Sequence, residues 1–170
     1  MYAGSHRKRE GNEVGFLGEA VTERLLRDAG VDFSVDAMTS HDLRLSTEKS
    51  IEVKTKDRTV RPKLHYDCSV PLYNHEHQNV DYYIFVSLER DKLLDGIRRF
   101  RRAHLVGVAN RTMLDRYAVV WDAGQTDPDN GTTFWTACRN IRIEQLVSFD
   151  EAVRHWLAAQ NTRRGLEGCP

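Results

Sequence analysis

Long apolar runs are missing from this sequence. None approaches the ~18 residues that a membrane span requires, and the charged start His6-Arg7-Lys8-Arg9-Glu10 leads into no apolar signal core. An intracellular, cytoplasmic location is therefore expected. Cysteine is scarce as well: Cys68, Cys138 and Cys169 are scattered and odd in number, which builds no disulfide framework and suits a reducing compartment. Net charge is also absent, with 25 Lys and Arg against 25 Asp and Glu. Any affinity for a polyanion must then come from local patches. Together these absences exclude a membrane protein, a secreted mini-protein and a fibrous protein.

What is present is an ordinary globular composition: 40% hydrophobic and 29% charged residues, with a mean hydropathy of −0.58. A chain of 170 residues buries roughly 70% of its unfolded surface and folds without staples. The first 11 residues are polar and basic and read as flexible, residues 12–160 as one domain, and residues 161–170 as a flexible tail. A first helix is expected over Asn12–Ala29, with Val14, Leu17, Val21 and Leu25 as its buried stripe and Gly30 as its stop. Strand-like segments follow at Val31–Val35, His41–Leu45 and Ile51–Thr55. The stretch Lys56–Pro71 reads as irregular and basic, broken by Pro62 and Pro71.

Tyr82–Leu88 is a near-continuous apolar run, the pattern of a central strand covered on both faces. Beyond it, Asp91–Arg102 reads as helix or loop, His104–Val108 as strand and Arg111–Arg116 as a short helix. Ala118–Trp121 and Thr132–Ala137 read as strands joined by the turn Asp127-Pro128-Asp129-Asn130-Gly131. Ser148 and Glu151 form a capping box for a last helix, Phe149–Gln160. The expected fold is α/β: a single domain with a central mixed sheet flanked by helices.

The chemistry concentrates in two short strands. Alternation puts Glu52 and Lys54 on one face of theirs and Ile51 and Val53 on the other, while Asp42 and Arg44 oppose Leu43 and Leu45. An odd-length hairpin loop brings Asp42 to the face of Glu52 and Lys54. Centred on Thr47, it sets Asp42 opposite Glu52; centred on Glu48, opposite Lys54. An even loop separates them. Two carboxylates are hard ligands for Mg²⁺, which activates water and neutralises charge on a phosphate. A neighbouring lysine orients or deprotonates that water, or stabilises the transition state.

Asp42 followed, after nine intervening residues, by Glu52-Val53-Lys54 resembles the D…(D/E)-x-K core of the PD-(D/E)XK nuclease superfamily, with Ser40-His41-Asp42 where the family name carries Pro-Asp. Gly18-Glu19 is similar to that superfamily's glutamate on the first helix, and Asp81–Val86 to its following hydrophobic strand. The resemblance implies a restriction-endonuclease-like or Holliday-junction-resolvase-like core cleaving DNA with Mg²⁺, or Mn²⁺ in its place. It implies Asp42, Glu52, the Val53 carbonyl and Glu19 as metal ligands, with Lys54 at the attacking water. An endonuclease is the expected activity, and a homodimer a possible assembly. The alternatives are an exonuclease of the same superfamily in recombination or repair, and a catalytically silent DNA-binding module.

Cations surround this core. Lys56, Arg58, Arg61 and Lys63 follow Lys54 with one intervening acid, Asp57, and are candidates for contacts to DNA phosphates. Arg98, Arg99, Arg101 and Arg102 form a second cluster, and Arg7-Lys8-Arg9 a third that reads as a solvated surface. Among His65, Cys68, His75 and His77 only His65-x-x-Cys68 has zinc-ligand spacing, and His75-x-His77 does not complete a site. Gln78 and Tyr82 spell an exonuclease Q-x-x-x-Y, but Tyr82 begins a strand; Gln78 is kept as a residue lining the site. Trp121, Trp135 and Trp156 are assigned to the core.

Overall fold

A computed structural model describes residues 6–35, 41–129 and 131–167. Ser40, Asn130, Cys169 and the extreme ends of the two expected flexible segments lie outside the described residues. Helix α1 (His6–Asp28) begins six residues before the expected start, so the backbone of the basic Arg7-Lys8-Arg9 run is helical. It ends as the sequence implies. Gly30 adopts φ +76°, the Gly30 N–H donates to Arg27 O and the Val31 N–H to Leu26 O, both at 3.0 Å. These two bonds make a Schellman cap, with Val31 and Leu26 in the core beneath it.

The buried stripe of α1 differs from the expected one by a residue. Leu25 is 37% exposed, whereas Gly18, Thr22 and Leu26 lie buried one turn apart. Glycine at 18 sets this choice. A Cβ built there would stand 1.8 Å from Thr55 Oγ1 and 2.9 Å from Thr55 Cβ, so the helix backbone rests directly on the sheet.

That sheet has five strands: β1 (Phe33–Val35), β2 (Leu43–Leu45), β3 (Ser50–Arg58), β5 (Tyr82–Arg90) and β6 (Phe100–Asn110), in the spatial order β1-β2-β3-β5-β6. The β3/β5 pair is parallel and the others antiparallel. The apolar run at Tyr82–Leu88 therefore occupies an interior strand, as its pattern implies. A second sheet, ordered β4 (Asp67–Pro71), β8 (Cys138–Arg142), β7 (Val119–Trp121), packs on the opposite face from the helices. The molecule has three layers: α1 and α4 (Phe149–Glu167), the mixed sheet, and the small sheet. Ile51, Val53, Ile84 and Val86 face the helices with Leu26, Val153 and Trp156; Tyr83 and Phe85 face Val70, Cys68 and Ile141.

Three expected segments require correction. The irregular stretch Lys56–Pro71 contains regular structure at both ends, because β5 pairs β3 as far as Arg58 opposite Glu89, and β8 pairs β4 as far as Pro71. Proline is tolerated there at the strand's end. Thr132–Ala137 is not a strand. Its backbone folds back on the preceding turn, with the Phe134 N–H donating to Gln125 O at 2.9 Å, and the strand is the next five residues. Strand β6 starts at Phe100 after a 3-10 turn at Ile97–Arg99, since β5 offers partners along its full length.

Short helices α2 (Leu72–His77) and α3 (Arg111–Tyr117) flank the small sheet. The last helix starts as expected, with Ser148 Oγ accepting from the Glu151 N–H at 3.3 Å, but runs on through most of the expected tail. Its buried Gln160 explains part of that extension: Oε1 accepts from the Asp32 N–H at 2.8 Å, and Nε2 donates to Gly30 O at 3.4 Å. Arg163 and Arg164 add contacts to Ser46 and Asp32.

Candidate active site

The β2–β3 hairpin decides whether the charged residues meet. Leu43 pairs with Ile51 and Arg44 with Ser50, and the Leu45 N–H donates to Lys49 O at 2.8 Å. The three-residue loop Ser46-Thr47-Glu48 is thus centred on Thr47 and closed by Glu48 at φ +66°, the left-handed residue such loops use. Continuing the register sets Asp42 opposite Glu52. Asp42 then ends the strand's own ladder: its N–H donates to Ile51 O at 3.0 Å, and its Oδ2 accepts from the Val53 N–H at 2.7 Å. A strand residue points its N–H and C=O to the same side. The Val53 carbonyl therefore faces the edge that β2 has left, beside the Asp42 carboxylate.

Glu52, Lys54, Lys56 and Arg58 alternate onto the face toward the small sheet. Lys54 Nζ donates to Glu52 Oε1 at 2.6 Å. Glu52 is only 8% exposed, so this charge-assisted bond offsets the desolvation of both groups. On the neighbouring strand Tyr83 pairs with Glu52 in register and Phe85 with Lys54.

The helix supplies the third carboxylate. Close packing of Gly18 on Thr55 carries the next residue, Glu19, into the electrostatic range of the hairpin pair. Its pKa is raised, first by burial and then by the charges of Asp42 and Glu52, with Lys54 opposing. Burial also raises Asp42, against the Val53 N–H, Lys54 and His41. It raises Glu52 too, against Lys54 and with help from Asp42. Three carboxylates with raised pKa values, Glu52 buried and Asp42 and Glu19 partly buried, form a locus where a cation is electrostatically favoured.

The other candidates take different positions. Lys56 and Arg58 lie within β3 and turn into the space between the sheets, where both donate to the Asp67 carbonyl; Arg58 also covers the Tyr66 ring at 4.9 Å. Arg61 and Lys63 are exposed on the loop beyond. The side chain of Gln78 bonds Asn74 and its carbonyl accepts from Arg111; no described hydrogen bond joins it to Asp42, Glu52 or Lys54. Tyr82 instead packs on Trp156 at 5.4 Å, so Gln78 and Tyr82 do not share a helix. In the second cluster Arg99 is buried against Glu13, while Arg101 and Arg102 pair with Asp91 and Glu89.

The histidines and Cys68 diverge. His75 bonds Asp115 at 2.9 Å, His77 stacks on Tyr73 at 4.3 Å, and Cys68 lies in the core between the sheets. Among the tryptophans, Trp156 is core but Trp135 is 85% exposed, against expectation. The sequence reading also missed Tyr83 and Ser87, whose places follow from the register of β3 on β5; a parallel pairing aligned on the apolar run would have revealed both.

Among the described residues, no three His, Cys, Asp or Glu side chains stand close enough to hold a metal ion by themselves. What the site offers is the buried Glu52 carboxylate, the partly buried Asp42 carboxylate and the Val53 carbonyl, the sparse oxygen set that Mg²⁺ accepts while keeping much of its hydration. No family model matches this chain, and no curated protein matches its sequence.

Proposed function

We propose that this protein is a Mg²⁺-dependent DNA endonuclease with a site of the PD-(D/E)XK type. One observation carries the reading: a hairpin register that sets Asp42 opposite Glu52, with Lys54 on the Glu52 carboxylate and Glu19 within the same field. Asp42, Glu52 and the Val53 carbonyl would hold the ion, and Glu19 would act through water. The chemistry Mg²⁺ would supply there is a more acidic water and neutralisation of the charge that builds on the phosphate.

The protein's own groups do the rest. Val53 N–H fixes the Asp42 carboxylate in one orientation. Lys54, held at the site by Glu52, donates to the attacking water or to a phosphate oxygen. Burial of Glu52 strengthens these interactions by limiting solvent screening. Arg61 and Lys63, exposed past the strand, contact flanking phosphates without reading sequence. Paired cuts in a duplex would need two copies of the chain, one site from each. Free thiols at Cys68 and Cys138 accord with a cytoplasmic setting, and no described helix is long and apolar enough to cross a membrane.

The test is incubation of the full chain with supercoiled, linear duplex, single-stranded, nicked circular and four-way-junction DNA in Mg²⁺, with excess EDTA as control. Metal-dependent cleavage of at least one substrate is expected, internal cuts marking an endonuclease and loss from ends an exonuclease. Binding without cleavage in Mg²⁺ or Mn²⁺ would reduce the protein to a DNA-binding module.

A further inference from the structure

Between the two sheets, beside Lys54, lies a cleft of about 410 Å³, in the size range of pockets that take one small ligand. One wall is β3, where Lys54, Lys56 and Arg58 follow at two-residue steps of about 7 Å. The floor includes Phe85 and Ser87 of β5, and the mouth carries Phe134 and Trp135.

Three features of this cleft are unexplained by the fold. Lys56 Nζ and Arg58 Nη2 donate to a single neutral oxygen, the Asp67 carbonyl, at 3.0 and 2.9 Å. Neither has an ion-pair partner among the described residues; the Asp67 carboxylate acts on them only through space. Two half-buried cations on one carbonyl leave charge for an anion to neutralise. Next, Ser87 is 2% exposed, yet its hydroxyl on the cleft floor has no hydrogen-bond partner among the described residues. Buried hydroxyls are nearly always satisfied, so a group entering the cleft is the natural complement. Finally, Trp135 stands exposed at the mouth, next to a Phe134 ring fixed by stacking on Trp121 at 5.0 Å and 21°. Cations, a buried hydroxyl and an exposed aromatic face match the phosphate, polar edge and π-face of a nucleotide.

We propose that this cleft binds one unstacked nucleotide of the DNA strand next to the cut, its phosphate on Lys56 and Arg58, its base on Trp135 and a polar edge on Ser87. The proposal rests on the nuclease reading and narrows its substrate: a base inside a duplex must be unpaired before it can enter, so strands with unpaired nucleotides are preferred over fully paired DNA.

The experiment measures binding apart from cleavage. The full chain, in Ca²⁺, is titrated into a mixed-sequence single-stranded oligonucleotide carrying 2-aminopurine, and into the same oligonucleotide annealed to its complement. The single strand should bind at least about tenfold more tightly, with quenching of the 2-aminopurine as it stacks. Trp135→Ala, a surface change, should weaken single-strand binding about 5- to 150-fold and leave duplex binding unchanged. Lys56→Gln with Arg58→Gln should flatten its salt dependence. Equal binding of both DNA forms, or a Trp135→Ala variant indistinguishable from the parent, overturns the proposal. If DNA is cleaved in Mg²⁺ while Trp135→Ala changes nothing, the cleft assignment fails and the nuclease stands. If neither DNA form is bound or cleaved, the nuclease reading fails and the cleft assignment with it.

Discussion

Gly18→Ala is an informative perturbation because two physical effects give it opposite signs. Alanine in place of glycine within a helix favours folding by about 1 kcal/mol. The new methyl, however, would sit 1.8 Å from Thr55 Oγ1 and 2.9 Å from both Thr55 Cβ and Cγ2. Rotation can move Oγ1, but not Cβ, which is fixed to the backbone of an interior strand. Overpacking of this kind costs about 1–3 kcal/mol, and the approach to Cβ places it in the upper part of that range. The net expectation is a loss of about 1–2 kcal/mol, read as a Tm lower by roughly 2–8 °C in a domain of this size. Relief requires α1 to lift from β3, which carries Glu19 away from Asp42 and Glu52 and so lowers activity as well. Thr55→Ala removes Oγ1 and Cγ2 and should rescue part of both losses. Thermal unfolding and cleavage rates of the two single variants and the double variant complete the cycle. A Gly18→Ala protein more stable than the parent, with effects that simply add to those of Thr55→Ala, would refute the close packing that places Glu19.

Glu48→Gly should stabilise the fold by about 0.5–1 kcal/mol in chemical denaturation, because Glu48 sits at φ +66°, where an L side chain costs ~1 kcal/mol or more; its exposed contact with Arg163 adds little. Destabilisation there would contradict the hairpin geometry. Asp42, Glu52 and Glu19 all have raised pKa values, so the folded chain binds their protons more tightly and their ionisation weighs against folding. The penalty is absent below the ordinary carboxylate range near pH ~4 and complete once pH has passed the raised values. In EDTA the parent should therefore gain stability relative to Glu19→Gln as pH falls from neutrality, and a constant difference would count against the cluster. Mg²⁺ at about 100 times its Kd should add ~2.7 kcal/mol, a Tm rise of roughly 5–11 °C, with Asp42→Asn losing most of it. Ca²⁺ should also raise Tm while supporting little cleavage, and identical shifts in Asp42→Asn would move the ion elsewhere.

The parts of the site that sequence reveals are those set by alternation. Glu52 and Lys54 share a face because strands alternate, and Asp42 joins them because the loop from Ser46 to Glu48 has an odd length, a choice the sequence narrows but only the register of Leu43 on Ile51 decides. The interior place of Tyr82–Leu88 follows from its unbroken apolar run. The remainder depended on long-range pairing. Arg58 is in a strand because Glu89 lies beside it, not because its own neighbours favour one. Thr132–Ala137 has strand composition but bonds back to the preceding turn, leaving the more polar Cys138–Arg142 between two partners. Helix α1 buries Leu26 rather than Leu25 because Gly18 sets the line of contact, a preference that hydrophobic spacing alone does not encode. Trp135 is exposed for a similar reason: aromatic character argues for burial, while the turn that carries the residue holds it at the mouth of a cleft.

The most direct measurement is single-turnover cleavage at saturating DNA in Mg²⁺ by the parent chain and by Asp42→Asn, Glu52→Gln and Lys54→Ala, with DNA affinity and unfolding followed in parallel. Each substitution should lower the rate at least ~100-fold while the chain stays folded and still binds DNA, Asp42→Asn as tightly as the parent or more so because a negative charge beside the phosphate is gone. A folded, DNA-bound variant of Asp42, Glu52 or Lys54 that cuts at the parent's rate would contradict the assignment of this hairpin as the catalytic site.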